Sequence, residues 1–389
     1  MSIKPTQIHN ILNHKRDDFT RFDGRVSKAL TQYERAWQTL SQTPIETLWE
    51  WSLGQEGSVG ARPLEDFEDT HTGVRRCGLT WGNREQSMVW VKQQLQGVTT
   101  FAVDGSQIFP SKDVSIPIAL VQIGWFENPH SDQHPYCKDI DLDVMTPADL
   151  QVRDSSQPVD RLVNVRRFQM ETERLVQYIQ QVANKRRTLV FFDGSLVATF
   201  AEALDDSLGN VYVNCLLKLL RASEEHQVPL VGYVDTSYAH DLTTLLATFL
   251  EIEGPATVHD AQLLNRDMRW GDCTPVFRCD RSGILSDYQE QQDRIVFTYL
   301  KAHQGYPARL EMPLWMHETG LVEQVMNWVR AEIVVGSGYP YAIETADQTA
   351  VLQSKDRQVF FRVLQEWADQ QDDLNLRLSR KMVSKVMRR

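Results

Sequence analysis

TLVFFDGSL (188–196) is the stretch of this 389-residue chain that decides how the rest is read. The apolar run up to Phe192 is short and compact, as suits a strand buried on both faces. It stops at Asp193-Gly194-Ser195, where glycine allows a sharp turn and a carboxylate is left at the end of a rigid strand. The same triplet occurs once more: TTFAV (99–103) runs into Asp104-Gly105-Ser106, and the apolar IPIALVQIGWF (116–126) follows. Strand, glycine-containing turn and second strand predict an antiparallel hairpin.

Outward from these triplets, strands alternate with helices. A helix over 165–184 leads into the 188–192 strand, and helical patterning resumes in LVATFAEAL and VNCLLKLLRASEEH. PLVGYVD (229–235), RIVFTYLKA (294–302) and ARLEMPLWM (308–316) read as further strands, followed by VEQVMNWVRAEIVV and a helix over 342–370. Upstream, Leu30, Tyr33, Trp37 and Leu40 recur at helical spacing and predict a helix over 16–42. Residues 52–75, 127–160 and 254–290 read as exposed or loop-rich. The expected fold class is α/β, a mixed sheet flanked by helices, with an N-terminal helical extension and C-terminal helices. The expected organisation is an N-terminal helical and irregular region (1–95), a core (96–355), and a C-terminal helix with a basic tail (356–389).

Composition excludes several classes. With 42% hydrophobic and 24% charged residues the chain is of ordinary globular type. It holds no run of about 20 apolar residues, so no membrane span is expected. The N-terminus lacks an apolar signal core, which predicts a cytoplasmic protein. Five scattered cysteines, Cys77, Cys137, Cys215, Cys273 and Cys279, fit reduced thiols. A balance of 41 basic against 52 acidic residues, net −11, argues against a broad basic surface for nucleic acid.

Two carboxylates on neighbouring strands make an oxygen-rich pocket suited to Mg²⁺ or Mn²⁺. Asp-Gly is also a common turn pair, so either triplet alone carries little weight. In the preceding helix Phe168, Leu175, Val176 and Ile179 share one face; Glu171 lies roughly 75° and Glu173 roughly 125° from its centre. Glu171 is thus the better candidate to face the sheet, against the plain alternative of a solvated boundary glutamate. Beyond Tyr339-Pro340, Glu344 and Asp347 stand three apart on one helical face and can both reach a metal, although acids in a first helical turn also serve the dipole. Asp104 is the expected bridging ligand, because it ends the opening strand. His130, His134 and Cys137 have metal-like spacing without an obvious fourth ligand and read as solvated loop. Neither a nucleophile elbow nor a phosphate-binding glycine loop is present. The tail 377–389, basic and without an acid, suits phosphate or partner contact, or a frayed helix end.

FAVDGSQ (101–107), the glutamate-bearing helix, LVFFDGSL (189–196), RLEMP (309–313) and GYPYAIETAD (338–347) together resemble the NurA nuclease family, over roughly 100–360. The resemblance implies an RNase H-like core and a divalent-metal-dependent DNA exonuclease or single-strand endonuclease in end processing and repair. It further implies Mn²⁺ (or Mg²⁺) as cofactor, a homodimer, and a HerA-type hexameric ATPase translocase as partner. Family roles fall on Asp104, Glu171 and Asp193 as metal-holding acids and on Tyr339 as a site residue. Archaeal members usually carry histidine where this chain has Asp347; aspartate still holds a hard cation, which adds Asp347 to the expected site. A catalytically silent adaptor for DNA ends or a translocase is the competing expectation. A phosphohydrolase with an aspartyl nucleophile ranks below both, because Ser106 and Ser195 stand where its second acid belongs.

Overall fold

The computed structural model describes residues 3–68, 71–150, 158–253, 257–371, 376–377 and 379. Its strands are β1 (Gly60–Pro63), β2 (Thr99–Ile108), β3 (Ala119–Asn128), β4 (Cys137–Met145), β5 (Thr188–Asp193), β6 (Leu230–Val234), β7 (Phe277–Asp280), β8 (Ile295–Leu300) and β9 (Ala308–Pro313). The chain divides into two compact units. One comprises Met1–Leu79, Val234–Ser282 and Val296–Leu310; the other comprises Thr80–Tyr233, Gly283–Ile295 and Glu311–Arg389.

The second unit carries both Asp-Gly-Ser triplets. Its strands run in the order β6-β5-β2-β3-β4. β2 pairs parallel with β5 from Thr99↔Thr188 to Val103↔Phe192, and β5 pairs parallel with β6. On its other side β2 forms the expected hairpin with β3, and β3 pairs antiparallel with β4. One face is covered by the helix Val159–Gln181, which packs on the helix Asp206–His226; Phe101 stacks on Tyr178 at 3.6 Å between ring centroids. The helix Tyr341–Ala350 covers the other face. It comes so close that a Cβ on Gly124 would lie 2.6 Å from the Ala350 nitrogen. The mixed α/β architecture is the expected one.

The first unit contains the N-terminal helices Pro5–His14, Arg16–Ser41 and Ile45–Leu53, and an antiparallel run β1-β7-β8. Tyr33, Trp37 and Leu40 of the expected helix are buried. Asp241, fully buried, is held by Arg281 (Nη2–Oδ2 2.6 Å) and Arg309 (Nη1–Oδ2 2.8 Å), which keep its carboxyl ionised despite burial.

Several expectations change. β1, β4 and β7 lie inside segments that read as loop. β4 is missed because most of it faces solvent at the sheet edge, so three of its nine side chains are acids. Within it Asp139 and Asp141 accept from the backbone N–H groups of Ile140 and Leu142 at 2.9 Å each. The expected helix 342–370 is two, Tyr341–Ala350 and Ser354–Ala368, broken where the Leu352 N–H turns to donate to Ser106 Oγ at 3.2 Å. None of the five cysteines, all among the described residues, is in a disulfide. Among the described residues, no helix is long and apolar enough to cross a membrane.

Candidate metal centre

The two triplets differ in backbone. β2 does not end at Asp104: it continues through Gly105 and Ser106 to Ile108, with Asp104 paired to Gly124 of β3. What ends after Val103 is pairing with β5, so Asp104 stands where the two parallel strands part. At the second triplet β5 does stop, and Gly194 adopts φ 143°, a conformation reserved for glycine; its N–H donates to the Tyr233 carbonyl at 3.0 Å.

Gly105 has another purpose. A side chain there would run into Glu171 Oε1 and lie 2.6 Å from Arg167 Cγ. The missing Cβ is the window through which Glu171 reaches the strand. Glu171 is accordingly the inward acid, with its side chain 13% exposed, whereas Glu173 is 53% exposed and sits 3.9 Å from Arg166. Glu171 Oε1 is buried without a hydrogen-bond partner, and its nearest cation is Arg167 Nε at 3.5 Å.

The other candidates join from opposite sides. Tyr339 donates its hydroxyl to Asp193 Oδ1 at 3.0 Å, and its ring meets Tyr233 edge to face. Asp104 accepts from the Gly105 N–H at 2.7 Å and shares a hydrogen bond with Asp347. Glu344 instead accepts from Gln348 Nε2 on its own helix. Burial, followed by the bond to Asp347 and the Asp193 and Asp347 charges, pushes the Asp104 carboxyl up to about 6 against the Gly105 N–H. Burial likewise drives Glu171 up to about 8; Arg167 opposes the rise and the Asp104 and Asp193 charges add to it. Such crowding of like charges is what a divalent cation relieves.

The candidate donors are all oxygen, as a hard cation requires, and Glu171 Oε1, buried without a hydrogen-bond partner, has lone pairs that would suit one. Among the described residues, no three His, Cys, Asp or Glu side chains are gathered tightly enough to cage an ion. Each acid is turned instead onto a neighbour: Asp193 onto Tyr339, Asp104 onto Asp347, Glu171 onto Arg167. Rotations of these side chains would be needed to close a ligand shell.

Two buried glutamates that the sequence did not single out as site residues hold the elements in place. Glu311 Oε2 accepts from Ser195 Oγ (2.8 Å) and the Leu196 N–H (2.6 Å), fixing the turn after Asp193. Glu332 accepts from Thr100 Oγ1 (3.0 Å) and the Ala342 N–H (2.8 Å), tying the helix that carries Asp347 to β2. Burial of these acids cannot be read from one-dimensional patterning, although Glu311 interrupts an apolar strand and so is conspicuous there. His130 serves structure: Nδ1 bonds the Val98 carbonyl at 2.7 Å and Nε2 lies 3.3 Å from Glu332. In the tail 377–389 only Arg377 and Ser379 are among the described residues; their N–H groups donate to Ser115 Oγ and the Asp113 carbonyl.

A family model for the NurA domain matches residues 98–352. The chain belongs to the NurA family. Among solved structures, the NurA nuclease from Sulfolobus solfataricus aligns with a TM-score of 0.50 at 11% identity, covering 73% of this chain and 93% of that one. At that identity the match shows the shared fold, a mixed RNase H-like sheet. Another NurA structure aligns at 0.42 and 11% identity, covering 75% and 94% of the two chains. A NurA bound to dAMP and manganese aligns at 0.37 and 11%, covering 73% and 93%. No curated protein matches the chain. NurA membership thus covers the β2–β6 strands, both triplets and the Tyr339–Asp347 segment.

Proposed function

We propose that this NurA protein is a divalent-metal-dependent deoxyribonuclease that processes DNA ends or single strands. The observation that supports the reading is the crowding of Asp193 and Asp347 against Asp104, and of Asp104 and Asp193 against Glu171, near where β2 and β5 part, which together with burial raises two of these acids above their ordinary range. These four residues are the proposed metal holders, with Mn²⁺ preferred and Mg²⁺ as substitute. A bound cation supplies neutralisation of phosphate charge and acidification of a water nucleophile.

The chain's own groups do the positioning. Asp104, at the centre of the cluster, is the proposed bridging acid. Tyr339 holds Asp193 in one orientation and keeps a hydroxyl at the site. Arg167 offsets the charge of Glu171 and offers a guanidinium on the strand side of the cluster. Asp347 contributes oxygen where archaeal relatives offer imidazole, so it serves as ligand rather than as a neutral proton acceptor. The reading takes 96–355 as the nuclease core, between the N-terminal region 1–95 and the C-terminal segment 356–389. It also takes the active form as a homodimer, working in the cytoplasm in DNA repair with a HerA-type hexameric translocase.

The test is degradation of single- and double-stranded DNA with Mn²⁺ by wild type, Asp104→Ala and Asp193→Ala. Each variant should lose at least about a hundredfold, the upper end of what removal of a mere supporting residue costs at a metal site. Undiminished activity in both sinks the assignment. The aspartate at 347 favours a second reading, a catalytically silent adaptor; it predicts no cleavage with any divalent cation and retained binding to the translocase.

A further inference from the structure

Seven residues after Asp193, Phe200 presents an aromatic ring to solvent at 51% exposure. A single exposed phenylalanine is ordinary. This one belongs to a cluster that reaches the carboxylates. Its ring centroid is 4.9 Å from that of Tyr212 at 86°, and 6.4 Å from that of Phe168 at 70°. Phe168 also meets Tyr212 at 4.7 Å and Phe192 at 5.8 Å; it lies one helical turn before Glu171, and Phe192 directly precedes Asp193. Tyr212 is within electrostatic reach of Arg167 and Glu171.

The platform is also fixed. The loop that carries it is fastened by Glu311 to Ser195 and Leu196. Tyr288 accepts from the Ala198 N–H at 2.8 Å and donates to the Leu196 carbonyl at 3.0 Å. Glu202 accepts from the Ile284 N–H at 2.7 Å. A ring steadied by two near-perpendicular aromatic neighbours and left half open is preorganised to stack on a flat partner. The neighbouring guanidinium of Arg167, about one-third exposed, suits the phosphate attached to such a partner.

Resting on the nuclease reading, we propose that Phe200 is a stacking platform for a nucleobase of the strand being cut, and so a specificity-determining residue for unpaired DNA. Bases inside a duplex already stack on each other, whereas a base at an end or in a single strand has a free face to offer. Stacking also explains how an acidic chain can hold a polyanion with few cations: part of the affinity comes from the bases rather than the phosphates.

The experiment compares two decamers with the same number of phosphates, one of thymidines and one with every base removed. Binding is measured by fluorescence anisotropy in chelator, and a 2-aminopurine decamer reports stacking by its quenching. Wild type should bind the base-bearing strand about tenfold more tightly than the abasic one, the scale of one base–aromatic stack. Phe200→Ala should lose that advantage and the quenching without changing affinity for the abasic strand; Phe200→Trp should restore both. Equal binding of the two strands by wild type overturns the proposal, as does an equal loss on both strands in Phe200→Ala or unaltered quenching. Mn²⁺-dependent cleavage measured alongside separates the outcomes. Absence of cleavage in wild type counts against the nuclease reading, whereas cleavage without base preference counts against Phe200 alone.

Discussion

Asp104-Gly105-Ser106 and Asp193-Gly194-Ser195 are the same three letters in two different structures. In the first, the strand passes straight through and the glycine serves a neighbour, admitting Glu171 and Arg167 to the sheet surface. In the second, the strand ends and the glycine serves its own backbone, which turns at φ 143°. The serines diverge as well. Ser106 Oγ accepts from Leu352 at the break between the two C-terminal helices, and Ser195 donates to buried Glu311. What separates the triplets is the strand alongside. β3 continues to pair with β2 beyond Asp104, so extended backbone persists there; the pairing of β5 with β6 ends at Asp193↔Tyr233.

Substituting the two glycines is the strongest way to break this comparison. Gly105→Ala should leave the strand intact but displace Glu171, costing about a hundredfold in turnover, as ångström-scale misplacement does. Gly194→Ala should act first on stability, costing about 1–3 kcal/mol for a backbone forced into a glycine-only region. Thermal melts alongside Mn²⁺-dependent cleavage distinguish the two. A Gly105→Ala protein with full activity would show that Glu171 has no need of the window.

A smaller effect per step is expected from pH. Asp104 and Glu171 hold protons up to about pH 6 and about pH 8, and a cation must displace them. Affinity for Mn²⁺ should therefore rise with pH: by about tenfold per unit between 6 and 8, where one proton remains, and level off above 8. Electron paramagnetic resonance titrations at pH 6, 7 and 8.5 provide the check. A flat profile would mean that these two acids are not ligands.

The serines should give the smallest difference. Ser195→Ala removes a hydrogen bond to a buried carboxylate and should cost about 1.5–3 kcal/mol, against about 1 kcal/mol for Ser106→Ala, which loses only a neutral bond. Urea unfolding of both variants is the measurement, and a larger loss at Ser106 would reverse the assignment of which serine anchors its turn.

Much of this arrangement was legible in the sequence because it is local. The apolar runs ending at both triplets marked β2 and β5 as strands, and helical periodicity alone favoured Glu171 over Glu173; that the two strands pair in parallel is seen only in the structure. What escaped depends on residues distant in sequence. Nothing near Thr100 announces Glu332, more than two hundred positions away, and nothing in Gly105 tells that its lost Cβ makes room for a side chain rather than a turn. β4 escaped for a different reason. Its Ile140, Leu142 and Val144 alternate with Asp139, Asp141 and Asp143 in the strand period, yet proline, histidine and acids around them pull the reading toward loop.

That edge strand also bears on the surplus of negative charge. An unpaired strand edge is a template on which foreign chains can crystallise into ordered aggregates. On β4 two amide groups are already occupied by the aspartates next to them, and a second copy laid antiparallel about Asp141 would set acid against acid along its length. Part of the acidity of this chain therefore acts as a colloidal safeguard, keeping like molecules apart in a crowded solution.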